Sequence, residues 1–351
     1  MPLFSETEII KIISLKIESL LSPLRIVEIK QEAKLKNGSV PDIIVKTKYK
    51  NKEKLLIIEI KSIGEPRHVE RAISQLKLYA NSISNGYPVV ASSYLSEKSR
   101  EICKELNVGY IDLTGNIFID LPYIHIEKES KKARIAEKKR QKSLFSPIST
   151  RIIRTLLIDP NLDWSIKSLS NKTGASLGYT HRVVERLLNE KFLSRDKTFR
   201  LKLNDPKKLL EDWRETYSYR QNTIYPFYTF EKNKDSFFKK LSKISNSNNL
   251  KYALTLHSGA NLIAPYVRFT EIHFYIDSSL ETWKEKLDLR PVDSGANIYL
   301  LKPYDIGVFQ GIQIINELKI VSNIQLYLDL YNYPKRGREQ AEFLREKKLK
   351  F

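Results

Sequence analysis

Apolar positions along the first third of the chain alternate between helical and strand spacing. Ile9, Ile10, Ile13, Ile17, Leu20 and Leu21 recur at helical intervals and predict a helix over 6–21, closed by Pro23. Residues 25–36 alternate through Ile26, Ile29, Ala33 and Leu35, a strand pattern, and Asn37-Gly38 is hairpin-turn chemistry. A second strand follows with Asp42, Ile43, Ile44 and Val45, and the polar stretch from Tyr49 to Lys54 predicts the next turn. The run from Leu55 to Lys61 is apolar on both faces, the mark of a central strand. After Gly64-Glu65-Pro66 a helix is predicted over 67–83, with Val69, Ala72, Ile73, Leu76, Ala80 and Ile83 inward. Gln75 and Tyr79, four apart, share one face of it. A strand at 87–91, a helix at 97–106 holding Cys103 as a small buried apolar residue, and a strand at 108–119 broken at Thr114-Gly115-Asn116 complete this part.

Charges interrupt that pattern in one place. Residues i and i+2 of a strand point the same way, so Glu59 and Lys61 project together from the end of an apolar strand. Burying them costs several kcal/mol unless something pairs with them. Pro41-Asp42, one hairpin, then Glu59-Ile60-Lys61 resembles the PD-(D/E)XK motif of restriction-endonuclease-like nucleases. The resemblance implies a mixed sheet flanked by helices and a Mg²⁺ (or Mn²⁺) site formed by Asp42 and Glu59. It implies that Lys61 serves the transition state of phosphodiester hydrolysis and that Gln75 assists. Glu8 and Glu18 both qualify as a helical addition to the acidic cluster. The residues alone equally allow a same-face ion pair with Asp42 in a turn and Gln75 at a core boundary.

From 128 to 142 the chain is basic and nearly without apolar residues, which predicts a linker, bounded at 128–145. Residues 146–217 change grammar. Ile148, Ile152, Ile153, Leu156 and Leu157 mark one helix, Ser165–Lys172 with Ile166 and Leu169 inward a second, and Leu177–Glu190 with Val183, Val184, Leu187 and Leu188 a third. Gly174 sits in the turn between the last two, and a hairpin with a polar tip follows at 192–203. This is the winged helix-turn-helix order. In that geometry Ser176, Tyr179, Thr180 and Arg182 are expected to face bases or nearby phosphates, with Arg195, Lys197 and Arg200 on the wing.

The last part, 218–351, mixes helical and strand patterns and repeats the tetrapeptide Ser-Gly-Ala-Asn at 258–261 and 294–297, expected as repeated turn chemistry rather than a duplicated unit. The phrases from His257 to Tyr266, from Asp288 to Val292 and from Gln325 to Tyr331 are similar to regulators of the AbiE-type antitoxin family over roughly 146–345. That resemblance implies an α+β antitoxin domain, DNA binding and a cognate toxin protein as partner. A nuclease-like segment ahead of it departs from the usual family arrangement. His257 and His273 lack a third ligand nearby and are expected as packed or hydrogen-bonded side chains.

Composition narrows the functions. Sixty Lys and Arg against forty-one Asp and Glu give a formal charge of +19, which favours a polyanion, double-stranded DNA first. No apolar run approaches a spanning length, so no membrane partner is expected, and the single cysteine excludes a disulfide framework. A cytoplasmic location is expected. The expected division is a multidomain α/β and α+β chain: 1–127, a linker over 128–145, 146–217 and 218–351. Two functions are weighed, a Mg²⁺-dependent DNA endonuclease targeted by its winged helix in a defence or mobile-element setting, and a non-catalytic DNA-binding regulator or antitoxin. Paired cuts or a palindromic operator would both require a homodimer.

Overall fold

The computed structural model describes residues 4–35, 38–80, 83, 85–130, 144–277, 279–349 and 351. The sequence-predicted Asn37 turn and most of the basic linker, 131–143, lie outside the described residues. The chain divides into two compact units, Met1–Arg140 with Arg186–Lys191, and Gln141–Glu185 with Phe192–Phe351. Each is built on a mixed sheet flanked by helices. Among the described residues no helix is long and apolar enough to cross a membrane.

The first unit begins with α1 (Glu6–Leu21), started by a capping box in which Ser5 and Glu8 exchange hydrogen bonds. Its inward stripe Ile9, Ile13, Ile17 and Leu21 is fully buried, at about 1.5–3 kcal/mol per side chain removed from water. The sheet runs β1 (Arg25–Gln31), β2 (Ile43–Tyr49), β3 (Lys52–Lys61), β4 (Gly86–Ser92), β5 (Gly109–Asp112), β6 (Ile117–Leu121) and β7 (Ile124–Lys128), in that spatial order. The β3–β4 and β4–β5 pairs are parallel and the others antiparallel. The parallel pairs are joined by α2 (Pro66–Ala80) and α3 (Glu97–Glu105). Strand alternation sorts the core. Leu56, Ile58 and Ile60 pack with α1, whereas Ile57 packs with Val69, Ile73 and Leu76 of α2 and Cys103 of α3, whose thiol burial pushes up to about 12. Glu59 and Lys61 share the Ile57 face.

Two local expectations change. The turn expected over Tyr49–Lys54 is only Lys50-Asn51, because pairing persists to Tyr49↔Lys52. The strand expected over 108–119 is an antiparallel pair, β5 and β6, and β7 extends the sheet beyond it.

The second unit opens with α4 (Pro147–Ile158), α5 (Ile166–Thr173) and α6 (Leu177–Asn189), then a two-stranded hairpin of β8 (Leu193–Arg195) and β9 (Leu201–Leu203). Trp164 extends the hairpin by a bridge to Leu201. Gly174, left-handed at φ +68°, ends α5. After α7 (Pro206–Thr216) comes a seven-stranded sheet in the order β13-β10-β14-β12-β11-β16-β15. These strands are β10 (Thr223–Tyr228), β11 (Tyr252–Thr255), β12 (Ile272–Ile276), β13 (Arg290–Pro291), β14 (Ile298–Lys302), β15 (Gln313–Ile315) and β16 (Leu318–Ile320). Helices α8 (Lys234–Ser247), α9 (Leu256–Ile263), α10 (Leu280–Leu287), α11 (Asn323–Tyr331) and α12 (Gly337–Leu344) complete it. The two Ser-Gly-Ala-Asn segments fold differently. The first lies inside α9, where a Cβ on Gly259 would stand 2.8 Å from the Leu254 carbonyl oxygen, and the second is a loop with Gly295 at φ +71°.

Buried charge links α4 to the sheet. Arg154 is fully buried over the Trp213 ring, 5.0 Å from its centroid, and donates from Nη2 to Gln325 Oε1 at 2.7 Å. Gln325 Nε2 donates to Asp329 Oδ1 at 2.8 Å, one helical turn on. Asp329 also accepts from Tyr217 at 2.5 Å, from Tyr275 at 3.0 Å and from the Thr255 hydroxyl. Nearer the surface Arg151 grips Asp305 through Nε and Nη2, at 2.6 Å for the shortest contact.

All three tryptophans, Trp164, Trp213 and Trp283, fall in this second unit, so their fluorescence follows its unfolding alone. Asp329→Ala leaves four donors facing a void and should cost about 3–5 kcal/mol in a urea titration. Asp329→Asn retains an acceptor and should cost markedly less. An alanine cost below about 1 kcal/mol would mean that the donors find other partners.

Candidate functional site

The end of β3 gathers the acidic residues singled out by the sequence. Asp42, just before β2, accepts a hydrogen bond at Oδ2 from the backbone N–H of Ile60 at 2.6 Å, which ties it to the strand carrying Glu59. Lys61 Nζ donates to Glu59 Oε1 at 2.7 Å. Glu59 is buried, and its second oxygen, Oε2, has no hydrogen-bond partner. Burial pushes the Glu59 carboxyl up; the Lys61 bond opposes this, and the negative charge of Asp42 reinforces it. Asp42 is also pushed up, by burial first, against the Ile60 bond and Lys61. One ammonium thus serves two partly desolvated carboxylates.

Two further side chains join them. Glu6, in the first turn of α1, accepts from Ser62 N–H at 3.3 Å, and its charge raises both Asp42 and Glu59. The helix-borne acid is therefore Glu6, not Glu8 or Glu18. Glu8 is occupied with Ser5 in the capping box, and Glu18 is exposed. From α2 it is the Tyr79 hydroxyl that interacts with Glu59, and its own pKa is raised, by burial first and then by Glu59 and Asp42. Gln75, a turn earlier on that face, is half-buried. Periodicity could place Tyr79 beside Gln75, but the reach of Glu6 depends on where α1 meets the strand end.

Carboxylates are the hard donors that Mg²⁺ takes, and one buried oxygen lacks a partner; burial first, and the neighbouring carboxylates after it, raise the pKa values of Asp42 and Glu59. Among the described residues no group of three or more His, Cys, Asp and Glu side chains is arranged to hold a metal. His257 Nε2 lies 2.6 Å from the Lys335 carbonyl oxygen, and the buried His273 ring stacks on Tyr299, centroids 4.6 Å apart.

A basic face lies on α6 and the β8–β9 hairpin. Ser176, His181 and Arg182 are exposed, and the Arg182 guanidinium sits over the Tyr179 ring. Tyr179 is half-buried and turns its hydroxyl back to Ser146 and Ser149, at 3.1 and 3.0 Å. Thr180 does not face outward. It is fully buried, its hydroxyl donating to the Ser176 carbonyl at 3.0 Å, because it stands one turn before Val183 and Val184 on the core side. On the hairpin Arg195, Lys197 and Arg200 are exposed, with Arg195 paired to Glu185. His181 is a further exposed member of this face, two residues before the buried Val183 and so on the other side of the helix.

Residues 202–350 match the family model described as transcriptional regulator, AbiEi antitoxin, type IV TA system, which bears out the C-terminal resemblance over that span. Among solved structures, a repair endonuclease from Pyrococcus abyssi is 14% identical, covering 31% of this chain and 47% of that one at a TM-score of 0.26. This chain thus spans about half the length of that neighbour, a likeness too low to define a shared fold. No curated protein matches the chain.

Replacing Asp42 by Asn keeps an acceptor for Ile60 N–H and removes one buried charge. Because the folded-state pKa is raised, ionising Asp42 costs stability as pH rises past the ordinary carboxylate value, and nothing below it. Calorimetry should show Asp42→Asn raising the melting temperature of the first unit by about 2 °C above neutrality. The gain should vanish below about pH 4. Millimolar Mg²⁺ should stabilise the wild type and not the variant. Equal curves at every pH would remove the buried-charge account.

Proposed function

We propose that the protein is a double-stranded-DNA-binding regulator of the antitoxin kind. The observation that carries this reading is the match of residues 202–350 to an antitoxin and transcriptional-regulator family. That region follows directly on three helices and a hairpin whose outer face exposes Arg182, Lys197 and Arg200. We read those elements as a winged helix-turn-helix at 146–217, with α6 addressing the major groove through Ser176 and Arg182 and the hairpin addressing phosphates. In this reading 218–351 is the α+β domain that meets a cognate toxin protein, and a homodimer on a palindromic operator follows. Residues 1–127 are then a restriction-endonuclease-like domain, joined by the linker at 128–145.

A second reading adds catalysis, and the partnerless buried Oε2 of Glu59 favours it. Mg²⁺ or Mn²⁺ held by Asp42 and Glu59 would supply Lewis acidity at a phosphoryl oxygen and an acidified water. Lys61, beside Glu59, would neutralise charge gathering on the phosphoryl group. Glu6 would tighten the acidic cluster, and Tyr79 and Gln75 would bound it on the α2 side.

Both readings are tested with the full chain and supercoiled plasmid in Mg²⁺ or Mn²⁺. Under the second reading Asp42→Ala and Lys61→Ala each lower cutting by about 100-fold or more, with DNA affinity unchanged. Tight binding without cutting in either metal leaves the regulator alone. Under both, Arg182→Ala and Arg200→Ala weaken binding and flatten its salt dependence by about one unit of slope each. A protein that neither binds nor cuts duplex DNA sinks both.

A further inference from the structure

The β8–β9 hairpin ends in Arg195-Asp196-Lys197-Thr198-Phe199-Arg200. The tip is a closed turn. Asp196 Oδ1 accepts from Thr198 N–H, Thr198 Oγ1 and Arg200 N–H, each at 2.8 Å. The Phe199 N–H donates to the Asp196 carbonyl at 3.1 Å. Held in this turn, Phe199 is 79% exposed, the highest exposure of any large apolar side chain among the described residues. Its φ of +59° lies in the left-handed region, which a bulky side chain rarely adopts and which Gly or Asn tolerates. Neither burial nor backbone preference therefore accounts for a phenylalanine here. Its neighbours are exposed cations: Lys197 and Arg200 on the tip, Lys202 on β9, and Arg195 paired with Glu185.

We propose that Phe199 is an apolar wedge that enters the minor groove of double-stranded DNA while the flanking cations hold the phosphates on either side. The inference rests on the DNA-binding reading and names how the hairpin uses it. A protein groove or a membrane would reward a contiguous apolar patch, whereas this tip offers one flat ring with Lys197, Arg200 and Lys202 beside it and the Asp196 carboxylate taken up in the turn. That is the composition that suits a polyanion whose interior is aromatic. Apolar side chains of minor-groove proteins act in this way by partly unstacking a base step.

The test uses the full chain and a fluorescent mixed-sequence duplex, with affinity read by anisotropy over a series of salt concentrations. Phe199→Ala should weaken binding roughly tenfold at every salt concentration, giving a line parallel to wild type, since no phosphate contact is lost. Phe199→Asn should weaken binding similarly while melting at or above the wild-type temperature, because Asn relieves the left-handed backbone. Phe199→Trp should bind like wild type, and its exposed indole should be quenched by DNA, unlike the buried Trp164, Trp213 and Trp283. Wild-type affinity in the Ala and Asn variants, or an indole that DNA leaves unquenched in Phe199→Trp, would overturn the wedge and leave DNA binding standing. Failure of the wild type to bind duplex would remove the reading beneath it. A dependence on Phe199 seen only with phosphatidylserine vesicles would overturn it in favour of a membrane surface.

Discussion

In the second unit the structure depends on a charge that could not be buried alone. Arg154 sits fully enclosed on α4, and it is linked to the buried carboxylate of Asp329 through Gln325. A glutamine suits that place because its oxygen accepts from a guanidinium while its nitrogen donates to a carboxylate. The chain from Arg154 to Asp329 therefore places a cation and an anion in the same low-dielectric interior without direct contact. An apolar residue at 325 would leave Arg154 without a hydrogen bond and take one of four donors from Asp329. Arg154 also leaves Nε and Nη1 without hydrogen bonds, and the Trp213 ring beneath it offsets part of that loss. Such a network adds little net stability. It fixes one orientation of α4, and with it α5, α6 and the hairpin, against the sheet of the same unit.

The same accounting of partners separates saturated carboxylates from an open one. Asp112, fully buried, accepts from Leu95 N–H, from Thr114 through N–H and hydroxyl, and from Asn116 through N–H and amide. Asp329 accepts from four side chains. Both carboxylates are saturated, and nothing more could bind them without displacing a protein group. Glu59 is different. It is buried to a similar degree, has one ammonium shared with a second acid, and keeps an oxygen open.

Much of this was legible in the sequence because it is local or periodic. The buried stripe of α1, the two-sided β3 strand, the helices around Gly174 and the hairpin follow from spacing and turn chemistry. So does the pairing of Glu59 with Lys61, which needs only strand geometry. What escaped depends on the meeting of distant elements. Glu6 joins the acidic site because the first turn of α1 arrives at Ser62, a contact 56 residues apart in sequence. Thr180 was misplaced by a motif template that counts from the helix start, although its spacing from Val183, Val184 and Leu187 already assigned it to the core. Identical tetrapeptides became a helix in one place and a loop in the other, since tertiary packing around Gly259 outweighs local preference.

Two local costs stand beside surplus charge, the open oxygen of Glu59 and the left-handed Phe199. They differ in kind, one electrostatic and enclosed, the other conformational and exposed. Each sits among charges whose sign specifies what would relieve it. Around Glu59 the surplus is negative, Asp42, Glu6 and Glu59 against Lys61, and a cation would relieve it. Around Phe199 the surplus is positive, and a polyanion offering an apolar slot would relieve it. The two places thus carry surplus charge of opposite sign, and each surplus adds to a local cost that the chain itself imposes.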